Sequence, residues 1–559
     1  MDITSLRRTI PRHYRWIVSV LLFVIVVYSI YPSSQHDSRV RFVKSGFDWK
    51  SLPPHHPPPE PLHALPTGSP IARPKIQHDF RPQPRRNATI EERRDAIKAT
   101  FLKGWRSYEK YAWMRDELTP LTASGKDTFG GWAANLVDNL DTLWIMDLKD
   151  DFNKATRAVV RLDWEKTPQT AVNLFETTIR HLAGLLAAYD LSGRQVLLRK
   201  AVELGDMLYT AFDTPNRMPP FWFDFAKAKT GALRPDDHQA AASVATLSLE
   251  FTRLAQLTGD DRYYDAIARV TDTMYTSQNK TKSPGLWPTH FNLLHADFTA
   301  DSMFSLGALS DSMYEYVLKA HLLLGGLEPK YETMYRTMVP AIQEKLLFRP
   351  MTPDSRDILI AGDLHVNPEV TYLSTESQHL SCFVGGMFAL GAKVFNVPEH
   401  ITTAAQLTDG CVWAYASMPV GIMPEIYNLV RCPSHDACTW NETAWRLAVH
   451  DDGDGASQPD LPRGFRNARD PRYILRPEAL ESVFYMYRTT GREQYRDIAW
   501  TMFEAIDAVT STPYGNAAID NVLADGKPTQ RDSMEVSYST LPVYMSRITL
   551  TPHVELLAG

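Results

Sequence analysis

The sequence predicts an all-α fold in which helical hairpins close into a toroid, an α/α barrel. Three observations carry that reading. Beyond about residue 90, apolar residues recur at helical spacing almost to the end of the chain. One phrase returns three times, as Leu191-Ser192-Gly193, Thr258-Gly259-Asp260 and Thr490-Gly491-Arg492, each with a glycine placed to end one helix before the next begins. Acidic residues also recur within apolar helical phrases. A closed ring brings such residues together, whereas an open solenoid, the alternative, does not.

Composition bounds the answer before any motif does. The 559 residues are 44% hydrophobic and 22% charged, enough for a large core. A net charge of -6 leaves no electrostatic footprint for nucleic acid. The four cysteines, Cys382, Cys411, Cys432 and Cys438, have no zinc-ligand spacing. In an oxidising lumen an even number permits two disulfides, and the pairing stays open at this point.

Taken in order, residues 1–15 form a basic tail with Arg7, Arg8, Arg12 and Arg15. An almost unbroken apolar run over 16–31 follows, slightly short of the roughly 20 residues that span a bilayer. With no convincing cleavage site behind it, this run is read as an uncleaved signal anchor over 16–32. Its basic flank stays cytosolic and leaves the rest of the chain lumenal. So short an anchor suits the thinner ER or Golgi membrane. Residues 33–89 form a stem with Pro53, Pro54, Pro57, Pro58, Pro59 and Pro61, read as an extended, semi-rigid spacer between membrane and barrel. Residues 90–559 are the helical domain. Glycosylation sequons fall at Asn87, Asn279 and Asn441.

The stretch Phe175-Glu176-Thr177-Thr178-Ile179-Arg180 opens an amphipathic helix, with Glu176 and Arg180 one turn apart on one face. Leu182, Leu185, Leu186 and Tyr189 are spaced for burial behind them. Other acids sit in comparable phrases: Asp138 and Asp141, Asp311, Glu425 after Pro424, Glu478 and Glu481, and Glu535. Singly each has a plain explanation, as a helix cap or a first-turn acid favoured by the dipole. Repetition at the starts of successive helices is harder to explain so, because alternate helices of a toroid begin at one rim. Two carboxylates flanking a bond, with room for water, are what inverting glycoside hydrolysis needs. Further carboxylates and carbonyls suit a hard, oxygen-liganded cation such as calcium. No nucleophile elbow, Walker loop or dinucleotide fingerprint stands out.

The phrases LVDNLDTLWIM, FETTIRHLAGLLAAYDLSG, LEFTRLAQLTGDDRY, DSMYEYVLK, HLSCF, PEIYN and RPEALESVFYMYRTTG, in this order, closely resemble the class I α-1,2-mannosidases, glycoside hydrolase family 47. The resemblance runs from about residue 131 to 534. It implies an (α/α)7 barrel and a calcium-dependent, inverting hydrolase that trims terminal α-1,2-linked mannose from high-mannose N-glycans. It makes Glu176 the general acid, Asp311 a second essential carboxylate and Glu478 the general base. Arg180, His379, Arg476 and Glu425 become substrate-positioning groups. Asp138, Glu425, Glu481 and Glu535 would hold the Ca2+ ion through water. Cys382 and Cys411 match the family's disulfide, leaving Cys432 and Cys438 to pair locally. Two departures stand out. Gly385 replaces a usual proline, and after Met534-Glu535 the family's terminal segment, with its calcium-binding threonine, is not found. Thr549 and Thr551 are nearby hydroxyls, and neither is assigned as that ligand. The second departure sets up the alternative reading, a catalytically impaired relative that binds mannose glycans in glycoprotein quality control.

Overall fold

The computed structural model describes residues 40–80, 88–436, 438–452, 458 and 460–535. The expected tail and anchor, Asn87, Thr549 and Thr551 lie outside them. Among the described residues no helix is long and apolar enough to cross a membrane.

Thirteen helices carry the architecture: α1 (Ala88–Tyr111), α2 (Leu140–Ile145), α3 (Lys149–Val159), α4, α5 (Gln195–Tyr209), α6 (Ser248–Thr258), α7 (Asp261–Ser277), α8 (Asp311–Leu323), α9 (Pro329–Lys345), α10 (Phe383–Val394), α11 (His400–Ser417), α12 (Glu478–Thr490) and α13 (Gln494–Thr510). Helix α4 joins three stretches, Leu174–Glu176, a π turn over Thr177–Leu182, and Ala183–Ser192. Each even-numbered helix packs on the next even one, so α2, α4, α6, α8, α10 and α12 form an inner layer. Each odd-numbered helix from α3 onward lies outside, joined to its inner partner by a short turn that forces the two antiparallel.

Glycine makes those turns where the sequence predicted. Gly193, Gly259 and Gly491 have φ of 66°, 70° and 70°, the left-handed conformation that ends α4, α6 and α12. Composition sorts the layers. In α10 every residue from Phe383 to Ala392 is buried, whereas α5 buries Val196, Leu197, Ala201, Leu204 and Leu208 at helical spacing and turns its other face outward. The departure at Gly385 has a packing reason: a Cβ there would lie 2.4 Å from Thr408 Oγ1 of α11. Helix α1 closes the ring on the outside, with Arg106 paired to Asp151 of α3 and Arg93 to Asp497 of α13. Six hairpins and this single outer helix are thus present among the described residues.

Short ladders stand at the end where the inner helices begin. The pairs are β1 (Ala171–Asn173) with β2 (Trp222–Asp224), and β3 (Gln239–Ala240) with β4 (His290–Phe291). Two three-stranded sheets follow, one of β5 (Met303–Phe304), β6 (Asp363–Val366) and β7 (Thr371–Ser374), the other of β8 (Glu376–Gln378), β9 (Ile426–Leu429) and β10 (Phe465–Asp470). β1, β3, β5 and β8 each lead toward an inner helix, so these ladders set where those helices start.

The proline-rich stem differs from expectation. Residues 40–80 have almost no regular structure, as expected, but they are strapped across the outside of the barrel. Several of their N–H groups donate to carboxylates of the barrel: Gly46 to Asp163, His55 and His56 to Asp213, His63 to Asp265, and Leu65 to Asp261. The strap continues past α9 to α12, where the His78 N–H donates to the Arg488 carbonyl. Trp49, only 3% exposed, fills a socket of aromatic rings with Phe223 and Phe225. A run so rich in proline cannot pair as a strand, and docking onto acids satisfies its few donors instead.

Candidate active site

Helix α4 is started by Asn173, whose side-chain oxygen accepts from the Glu176 N–H at 2.9 Å. Thr177 and Thr178 hydroxyls then bond back to the carbonyls of Asn173 and Leu174, and the chain widens into the π turn. Such turns gather at functional sites because they re-aim a side chain within a helix. Here Arg180 Nε donates to Glu176 Oε2 at 2.8 Å, and the guanidinium lies 4.3 Å above the Phe129 ring. Both side chains are only partly buried, at 29% exposure for Glu176 and 14% for Arg180, so the pair borders open space.

Asp138 ends the short helix Ala134–Asp138 just before α2. Burial pushes its carboxyl up to about 7, opposed by Arg180 and reinforced by Asp141 and Glu176. Asp311 is the first residue of α8, and its carboxylate accepts from the Ser312 N–H at 2.8 Å. Burial pushes Asp311 up to about 7 as well. The Ser312 bond and Arg476 oppose the rise, and the charges of Glu478 and Glu315 add to it.

Glu478 opens α12. Its Oε2 lies 3.3 Å from His379 Nδ1, and His379 Nε2 lies 2.7 Å from the Tyr415 hydroxyl. This corrects the expectation for His379. The ring is fully buried behind Glu478, so it orients that carboxylate and does not reach a sugar.

Glu425 is also held from both sides, with Oε1 accepting from Ile474 N–H and Oε2 from Arg476 Nε. Against its burial, Glu425 and Glu478 hold the Arg476 guanidinium firmly charged. Glu535 is raised by burial, opposed by Arg476 and Arg180, so it lies within reach of both guanidiniums. Lys319 of α8 pairs with Glu315 on the same helix and lies 3.7 Å from Glu481 Oε1. The expected residues therefore converge. Asp311 and Glu478 start inner helices and Glu176 lies in the first turn of one, whereas Glu425 and Glu535 come from loops.

Glu315 and Lys319 were missed in the sequence, although Asp311, Glu315 and Lys319 stand at successive four-residue steps along an apolar helix. Tyr415 carries no local signal, because its role comes from α11 packing behind His379.

Among the described residues no group of three or more His, Cys, Asp or Glu is placed to hold a metal ion directly. The charge balance nevertheless fits an oxygen-liganded cation. Asp138, Glu176, Asp311, Glu425, Glu478 and Glu535 gather around the guanidiniums of Arg180 and Arg476, and burial pushes Asp138 and Asp311 up to about 7 and raises Glu535. Both disulfides form, Cys382–Cys411 tying the start of α10 to α11, and Cys432–Cys438.

Residues 100–539 match the model of glycosyl hydrolase family 47. The chain is 33% identical over 451 residues to the endoplasmic reticulum mannosyl-oligosaccharide 1,2-alpha-mannosidase of Homo sapiens, covering 80% of this chain and 59% of that protein. It is 33% identical over 472 residues to mannosyl-oligosaccharide alpha-1,2-mannosidase 1B of Aspergillus phoenicis, covering 80% of this chain and 84% of the relative. The chain thus spans less than two thirds of the length of the mammalian relatives. Among solved structures, alpha-1,2-mannosidase from Trichoderma reesei superposes with a TM-score of 0.73 at 28% identity, over 82% of this chain and 94% of that one.

Proposed function

The chain belongs to glycosyl hydrolase family 47, and we propose that it is a secretory-pathway mannosidase, hydrolysing terminal α-1,2-linked mannose from high-mannose N-glycans with inversion. One observation carries this most directly. Asp311 of α8 and Glu478 of α12 feel each other's charge across the ring, while Glu176 stands on α4 with Arg180, and Glu535 senses both Arg180 and Arg476. Carboxyls from three inner helices thus face one interior.

Glu478, aimed by His379, takes a proton from water as the water oxygen bonds to C1 of the mannose. Glu176 gives a proton to the departing glycosidic oxygen, so one water is consumed and mannose leaves with inverted configuration. Asp311, its carboxyl pushed up to about 7 by burial, is the second essential carboxylate beside Glu478. Arg180 fixes the Glu176 carboxyl, and Arg476, anchored by Glu425, presents its remaining donors to sugar hydroxyls. A calcium ion would be held through water by Asp138, Glu425, Glu481 and Glu535, and when bound would polarise sugar hydroxyls and hold the ring distorted. The proposal is completed by closure of the barrel as seven hairpins and by a signal anchor over 16–32 in the ER or Golgi membrane.

The test is mannose release from a high-mannose glycan, with and without a calcium chelator. The wild-type chain should release mannose, and Glu478→Gln should lower kcat by about 100-fold or more. Release that survives chelation keeps the hydrolase and removes the cation. Glycan binding without release would establish the impaired relative in its place.

A further inference from the structure

Trp222 is 54% exposed, one of the most open large apolar side chains among the described residues. Exposed tryptophans are unremarkable on mobile loops, but this one is built in. It lies on β2 directly opposite Asn173, the residue that caps the helix bearing Glu176. The next residue, Phe223, is fully buried against Trp49 of the strap, so strand alternation turns Trp222 to the opposite, exposed face. On its other side the Phe221 carbonyl accepts from Leu174 N–H at 3.1 Å, and the Phe221 N–H donates to Asp236 at 2.7 Å. The Asp236 carbonyl in turn accepts from Leu293 and Leu294 N–H at 3.0 Å each, which places Leu294, itself 45% exposed, on the same wall.

A flat apolar ring is therefore carried on a paired strand beside the start of the helix that bears Glu176, three residues from it by way of its ladder partner. Keeping it in water costs free energy that folding gains nothing from. A rigid aromatic face loses little entropy on binding, and it suits the C–H face of a pyranose ring. Its place opposite Asn173, at the start of the helix that bears Glu176, decides the occupant.

We propose that Trp222, flanked by Leu294, is the platform on which a mannose residue of the glycan's non-reacting part stacks, making it a specificity-determining residue for large glycans over short mannosides. The proposal rests on the mannosidase reading and deepens it. Binding energy from a remote sugar would be used to seat the reacting one, so its loss should show only with substrates that reach the platform.

The experiment compares wild type, Trp222→Ala, Trp222→Phe and the distant control Tyr275→Ala on α-1,2-mannobiose and on an intact high-mannose N-glycan. Trp222→Ala should lose about tenfold in kcat/KM on the glycan, equivalent to about 1.4 kcal/mol, and keep its rate on the disaccharide. Trp222→Phe should recover most of the loss, and Tyr275→Ala should behave as wild type. Equal losses on both substrates would mean that Trp222 acts through Asn173 and Glu176, which overturns the platform. No loss on either overturns it too. Calorimetric binding of the same glycan to Glu478→Gln, with and without Trp222→Ala, separates the two readings. Weaker binding by the double variant supports the platform even where the wild type proves inactive, and unchanged binding overturns it.

Discussion

At the scale of single residues, environment decides which carboxyl does what. The Glu478 carboxylate lies against a buried imidazole, which is itself backed by a buried phenol, so its surroundings are set from inside the wall. His379→Ala should therefore lower kcat by about 10- to 100-fold with little change in KM, and steady-state kinetics on a high-mannose glycan would check it. A matching rise in KM would return His379 to substrate contact. Glu250 shows the same physics without the chemistry. Burial pushes it up to about 7, opposed by its own backbone N–H, by the Tyr316 hydroxyl at 2.9 Å and by the more distant Lys319. A carboxyl raised in the fold stabilises fully below its unfolded value near 4.5 and loses that contribution as pH climbs through 7. At about 1.4 kcal/mol per unit, the loss is on the order of 3 kcal/mol. Melting temperature should thus fall from pH 5 to pH 8, and Glu250→Gln should flatten the profile. An unchanged slope in the variant would show that Glu250 is ionised throughout. The acids at helix starts were legible because each interrupts an apolar phrase. The partnership of His379 and Tyr415 was not, because it joins residues 36 apart through packing alone.

At the scale of elements, the hairpins were legible and the strap was not. Gly193, Gly259 and Gly491 announce their turns because only glycine enters the left-handed region without strain. The segment 40–80 reads as a spacer because proline removes both periodicity and hydrogen-bond donors. What holds it is written on other elements, in Asp163, Asp213, Asp261 and Asp265, which look like ordinary surface acids in the sequence. Trp49 gives this docking its apolar anchor, wedged against Phe223 of the strand that carries Trp222. Trp49→Ala should cost about 3 kcal/mol or more, as large-to-small changes in buried aromatic sites do. It should also open residues 40–80 to protease before the barrel melts. Differential scanning calorimetry with timed proteolysis reads both effects. A variant that melts and digests like wild type would mean that the strap is a passenger.

At the scale of the whole molecule, the barrel concentrates like charge. Inner helices that all run the same way bring their first-turn acids to one end, where Arg180 and Arg476 are too few to balance them. The ring itself was legible from repeated turns, whereas the expectation of sevenfold closure came only from the family resemblance, because no local pattern counts hairpins. Unbalanced buried carboxylates can take up protons or a cation, and the two compete. Asp138, pushed up to about 7 with Asp311, shows the proton's side of that competition. Calcium should displace those protons, so its affinity should rise from pH 5 to pH 7 as the acids ionise. Binding should also raise the melting temperature by mass action, with about 2.7 kcal/mol gained at a hundredfold excess over Kd. Titration calorimetry near pH 6, in two buffers of different ionisation heat, would count protons released per ion bound. Magnesium, which gives up its water less readily and demands tighter geometry, should not substitute. A melting temperature indifferent to calcium at pH 7 would leave protons as the sole balance, and the acids of this cavity would then carry out hydrolysis without a metal.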